Sequence, residues 1–278
     1  VASRLGRARA LLQTRQRTAE VEVDVSGIVF GDRKPLTSRG QRGWGSLLLA
    51  RLALQSGKLK QARQKIRQAS SNVPSRDAPF QDELAALLID TFQLGEADKA
   101  IRESKRIMSG RPHPHYQMAR IHLRQGQPRA ALAELKHAHG LQHAESRLLR
   151  ARIYLQLGDL ARAKEEVEHV LGVSGAMLGA HVVKAKVLAA QGHGEKAESA
   201  LASLLSKHPT NSRVLTAYGE VLLSRGKVRA ARDKLNEALR HDPHAYRARL
   251  RLAEVLMKSG KYREARRSLQ DASRANYG

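Results

Sequence analysis

Three patterns of apolar and polar residues succeed one another along the chain. Residues 3–18 carry a thin apolar stripe, Leu5, Ala8, Leu11 and Leu12, on an otherwise basic stretch, and read as a short helix. Residues 20–30 change period. Val21, Val23 and Val25 alternate with Glu22, Asp24 and Ser26, the pattern of a half-buried strand. The chain offers it no partner strand, so pairing with a second chain or a neighbouring domain is expected, or no pairing at all. Residues 31–43, with Arg33, Lys34, Pro35, Arg39 and Arg42 between two glycines, read as a flexible basic linker. From Trp44 the pattern is helical to the end, in units of helix, tight turn at a glycine, and second helix.

The units share a fixed register. Ala62, Ala100, Ala131, Ala163, Ala197, Ala231 and Ala265 each follow a glycine by five residues: Gly57, Gly95, Gly126, Gly158, Gly192, Gly226 and Gly260. Those glycines stand 38, 31, 32, 34, 34 and 34 residues apart, a period that signifies stacked repeats. Glycine after a helix accepts the left-handed conformation that closes it. The alanine lies one turn into the second helix, where a larger side chain would force the two helices apart. Twelve residues earlier stand Ala50, Ala119, Ala151, Ala185, Gly219 and Ala253, and four residues later Ile66, Leu135, Val167, Leu201, Leu235 and Leu269. Proline follows the second helix at Pro74, Pro112, Pro209 and Pro243 and ends it there. The second unit departs at Leu88 and Ser104, and the longest spacing before it implies extra loop residues near Ser75–Phe80.

Small residue, Gly, Ala, apolar residue and Pro on this period resemble the tetratricopeptide repeat (TPR). The resemblance covers residues 44–278. It implies an all-α, right-handed superhelical solenoid of about seven helix-turn-helix units, near 44–76, 81–112, 113–143, 144–177, 178–211, 212–245 and 246–278, after a helix/strand/linker segment at 1–43. The last three units match the family pattern most closely. The seventh, with Leu256 and Leu269, is expected to be covered either by a cap beyond residue 278 or by another subunit. Together with the unpartnered strand, this predicts one piece of a larger assembly.

Charge narrows the partners. The chain carries 50 Lys/Arg against 26 Asp/Glu, a formal net charge of +24, and residues 1–43 hold only 9 and 4 of these, so the excess runs along the repeats. Such a field favours acidic partners. There is no cysteine, which excludes structural disulfides and thiolate metal sites. No apolar run approaches the length of a membrane span; Leu47–Leu54 is interrupted by Arg51.

Motifs for catalysis are weak. The Gly-Lys pairs at 57, 226 and 260 lack the first glycine and the Ser/Thr of a phosphate loop, and read as turns. His137, His139 and His143 cluster, and His113 and His115 flank Pro114, but only His139 and His143 share a helix face, so no metal site and no cofactor is expected. Glu165, Glu166 and Glu168 read as a solvated helix face, and nothing pairs a nucleophile with a base. The reading is therefore a protein that binds rather than an enzyme.

The resemblance places the first helices on a concave groove that takes extended or helical peptides. Six residues before each turn glycine, one groove position reads Arg51, Ile89, Arg120, Arg152, Lys186, Glu220 and Glu254, with Arg124 a turn beyond Arg120. Leu54, Phe92, Tyr116, Leu123, Leu148 and Leu155 supply apolar neighbours. A groove that is basic through Lys186 and acidic at its far end suits an acidic or amphipathic segment of a partner protein. Chaperone-binding members use asparagine at the position held here by arginine or lysine, which argues against a chaperone tail. A basic helical-repeat protein bound to RNA or DNA is the second reading; it is favoured less because stacking aromatics are few. The arginine- and alanine-rich composition suggests a bacterial source and a cytoplasmic or periplasmic/envelope setting, such as a secretion or pilus machine.

Overall fold

The computed structural model describes residues 38–138 and 144–277. The expected helix at 3–18, the strand at 20–30, most of the linker, and His139 and His143 lie outside the described residues. The described residues form fourteen helices and no strand. They are α1 (Arg39–Gln55), α2 (Leu59–Ser71), α3 (Ala78–Asp90), α4 (Leu94–Ile107), α5 (Pro112–Arg124), α6 (Pro128–His137), α7 (Ala144–Leu157), α8 (Leu160–Val173), α9 (Leu178–Ala190), α10 (Gly194–Lys207), α11 (Ser212–Ser224), α12 (Val228–His241), α13 (Tyr246–Lys258) and α14 (Tyr262–Tyr277). The chain divides into two compact units, one up to Ile121 and one from His122. None of these helices is long and apolar enough to cross a membrane.

Short turns fold successive helices back on each other. At Gly57 the chain enters the left-handed region (φ 69°), and the Lys58 amide donates to the Ala53 carbonyl at 2.7 Å, satisfying a carbonyl the helix end leaves open. Gly126, Gly158, Gly192, Gly226 and Gly260 repeat the conformation, and the residue after each repeats the hydrogen bond.

The second pair corrects the sequence register. Its left-handed residue is Phe92 (φ 62°), followed by the equivalent bond from the Gln93 amide to the Leu88 carbonyl at 2.8 Å. Gly95 instead lies inside α4 and is not left-handed. Counting from Phe92, the close-packed alanine is Ala97, its small counterpart Ala85 and the apolar residue Ile101, all 0% exposed. The spacings of 38 and 31 become 35 and 34. Leu88 and Ser104 are then no departures, since they occupy other positions. The glycine was the wrong marker because a residue with a side chain, here Phe92, can also take this conformation at a cost of roughly 1–2 kcal/mol.

In the unit up to Ile121, Leu47, Ile66, Phe80, Leu87, Ile89 and Ile101 form the core. Trp44 packs edge-on to Phe80 (5.4 Å, 89°) and donates to Asp77 at 2.9 Å, whose other oxygen caps α3 at the Phe80 amide, also 2.9 Å. α1 and α2 approach so closely that a methyl on Gly43 would run into the Asn72 carbonyl. In the unit from His122, Val167, Leu201, Leu215 and Leu235 fill the space between pairs, each at most 1% exposed. The first helix of a pair, called the inner helix below, also meets the first helix of the next pair: α1 with α3 in one unit, and α7, α9, α11 and α13 in series in the other.

Candidate protein-binding face

Within each unit the first helix of a pair turns one stripe toward its counterpart in the next pair. Residues thirteen, nine, six and two before the left-handed turn residue recur on that stripe, as a helical period requires. Charged side chains here meet across neighbouring pairs, and the structure shows most of the expected cations engaged.

Arg51 on α1 pairs with Glu83 on α3. Arg120 on α5 reaches back to Asp90 on α3 at 2.5 Å and donates to the Gln117 side chain at 2.6 Å. Lys186 on α9 meets Glu220 on α11 at 2.6 Å. Arg124 and Arg152 are exposed on α5 and α7. Tyr116 is half-buried and stands 6.1 Å from the His113 ring. Two expected groove residues move with the register: Phe92 is the turn residue itself, and Ile89 is core at 0% exposure, so Ala86 takes the position six before the turn. Leu148 is also core, packed with Val167 and Val183.

The far end is not acidic. The Glu220 carboxylate, 9% exposed, receives Lys186, Arg247 at 2.7 Å and Arg251 at 3.1 Å. Burial opposes its ionisation, but the Lys186 and Arg247 charges and their hydrogen bonds outweigh burial and hold the carboxyl at about 2. Glu254 accepts from Arg251 at 2.8 Å, with the Lys258 ammonium 4.0 Å away. Four cations thus surround two carboxylates, because α13 brings Arg247, Arg251 and Lys258 to the same stripe. Sequence reasoning missed these three, and Glu83 and Asp90, by reading one register position per unit.

A polar cluster interrupts the apolar packing of the first unit. Asp82 stands ten residues before Phe92, where the other pairs carry Leu47, Tyr116, Leu148, Val182, Thr216 and Leu250. Its carboxylate, 5% exposed, accepts from Ser104 at 2.6 Å and pairs with Arg111 at 2.6 Å. Next to it, burial pushes the His113 imidazole below its ordinary pKa, so it stays neutral near pH 7.

Stacked helix pairs closed by left-handed turns, with an alanine seam inside and a charged stripe on the first helices, define a helical-repeat protein. Models of the tetratricopeptide repeat match residues 116–168, 182–245 and 222–278, together more than half of the sequence. The chain belongs to the tetratricopeptide repeat family. No curated protein matches it. Among solved structures it resembles a tetratricopeptide repeat protein from Parabacteroides merdae (15% identity, TM-score 0.59, 86% of this chain and 95% of that one). It also resembles TTC0263 of Thermus thermophilus (21%, 0.56, 65% and 100%) and human IFIT1, solved as a dimer with PPP-AAAA (17%, 0.62, 96% and 67%). At these identities the likeness is one of fold.

Proposed function

We propose that the protein is a non-enzymatic scaffold or adaptor whose inner-helix stripe receives an acidic or amphipathic segment of a partner within a multiprotein assembly. Tetratricopeptide repeats mediate protein–protein interaction, and the fold is typically non-catalytic. The observation that carries the finer reading is the cation excess left after internal pairing. Lys186, Arg247 and Arg251 share one carboxylate, and Arg247 keeps 64% of its side chain exposed. Arg124 and Arg152 are exposed on the same stripe, on α5 and α7. Arginine binds carboxylates through two parallel hydrogen bonds, so an acidic segment is the complementary ligand. A bacterial envelope, secretion or pilus assembly is the setting we favour from composition.

The test is co-purification from the native source with cross-linking and mass spectrometry, followed by charge reversal of Arg124, Arg152 and Arg247 to Glu. The partner is lost while helicity, read by circular dichroism, is kept. A partner retained by that variant would remove the stripe from the proposal. The alternative is an RNA- or DNA-associated protein, supported by the net charge of +24 and by the fold-level likeness to IFIT1 solved with PPP-AAAA. In a filter-binding salt series, specific nucleic-acid affinity that survives physiological salt reverses the order of the two.

A further inference from the structure

Two adjacent helix pairs carry the same positions with one chemical difference. In α7/α8, Arg147 and Arg150 stand eleven and eight residues before Gly158, and Glu166 stands eight residues after it. They meet: Arg150 reaches the Glu166 carboxylate at 2.7 Å and Arg147 reaches it at 3.1 Å, with Glu166 only 15% exposed. In α9/α10 the corresponding residues, counted from Gly192, are His181, Lys184 and Ala200. The basic side chains remain and the carboxylate has become a methyl group.

A cavity of about 480 Å³ opens there, lined by Leu178, Lys184, Leu188, Ala200, Leu204 and Lys207, among others. No Asp or Glu lines it. Lys184 is exposed, and neither it nor Lys207 makes an ion pair with any described residue. Ser203 adds a hydroxyl at the edge, and the His181 imidazole stands 2.7 Å from the Gly175 carbonyl, fastening the loop at the mouth. The furrow is separate from the inner stripe. Lys184 and Lys186 are two residues apart on a helix, about 200° around its axis, so they leave α9 on opposite sides.

We infer that this furrow is a second docking site, which takes one carboxylate of a partner protein carried on an apolar segment. The floor accepts the apolar side chains, and Lys184 and Lys207 supply the charge that Arg147 and Arg150 spend on Glu166 in the preceding pair. The size is that of a pocket for a few side chains. The register also supplies a variant that closes the site from within: Ala200→Glu puts a carboxylate where Glu166 stands in α8, facing Lys184.

The experiment titrates the full chain with a terminally blocked peptide, Ser-Leu-Leu-Glu-Ala-Leu-Ser, and its Gln counterpart, following methyl resonances of Leu188 and Leu204 by NMR. The Glu peptide shifts both and binds at least tenfold more tightly than the Gln peptide. Ala200→Glu weakens it at least tenfold with an unchanged circular dichroism spectrum. Lys184→Glu, at an exposed position, gives the same loss and regains binding to a peptide with Lys in place of Glu. Equal affinity for the Glu and Gln peptides, or full affinity in both variants, overturns the proposal. So does decanoate shifting the same methyls when the peptide does not, which would make the furrow a site for small amphiphiles. The inner-stripe variant retains peptide binding, so failure here and failure of the proposed function are separable.

Discussion

Replacing Glu220 by Gln tests whether the inner stripe is held by charge or only by shape. The side chain is conserved in size and can still accept hydrogen bonds, so the perturbation is the loss of one charge. The carboxyl is held at about 2 against an ordinary 4.5. At about 1.4 kcal/mol per unit, that depression corresponds to roughly 3 kcal/mol of stability in the charged state. Removing the charge also leaves Lys186, with only 20% of its side chain exposed, without its partner. Breaking a buried pair from one side typically costs about 3–5 kcal/mol. Arg247 and Arg251 are exposed enough to turn into solvent, which lowers the expected effect to about 2–4 kcal/mol. Because the folded pKa is depressed, the stabilisation is complete above about 4.5 and is lost as pH falls toward 2. Urea unfolding of the wild type and the Glu220→Gln variant, repeated from pH 7 to pH 2, should show a gap that is constant down to about pH 5 and closes below it. A gap under about 0.5 kcal/mol at pH 7, or one independent of pH, would mean that shape and not charge holds the stripe.

Further outcomes follow from the packing. Gly95→Ala should stabilise by about 0.5–1 kcal/mol, since Gly95 is helical with open space around it, whereas Gly126→Ala should destabilise by about 1 kcal/mol at its φ of 74°; equal effects on the thermal midpoint would return Gly95 to the turn. Gly43→Ala should cost about 1–3 kcal/mol, because α1 and α2 must separate at Asn72, and denaturant unfolding of the first unit reads it.

The repeat was legible in the sequence because its causes are local. A left-handed turn, a small residue one turn later and an apolar residue beyond it are demanded by any two helices that fold back and touch, so they leave a periodic trace. The same trace assigned Arg51, Arg120 and Lys186 to the first helix of their pairs, and they lie on α1, α5 and α9. It failed at the second pair for an equally local reason: it followed glycine, while the backbone needed only a left-handed residue and took Phe92.

The partners of the charges were not legible. Glu83 reaches Arg51 across 32 residues, and Glu220 gathers cations from the pairs on both sides, because stacking puts residues nearly one repeat apart within a few ångströms. An end read as acidic became cationic once α13 supplied Arg247 and Arg251. The furrow at Ala200 is likewise invisible residue by residue, since an alanine there is unremarkable until its neighbour in the stack shows a carboxylate in the same place. The helices, their pairing and the family are written in spacing along the chain. Which charges cancel depends on the stacking of the pairs, because Coulomb energy depends on separation in space.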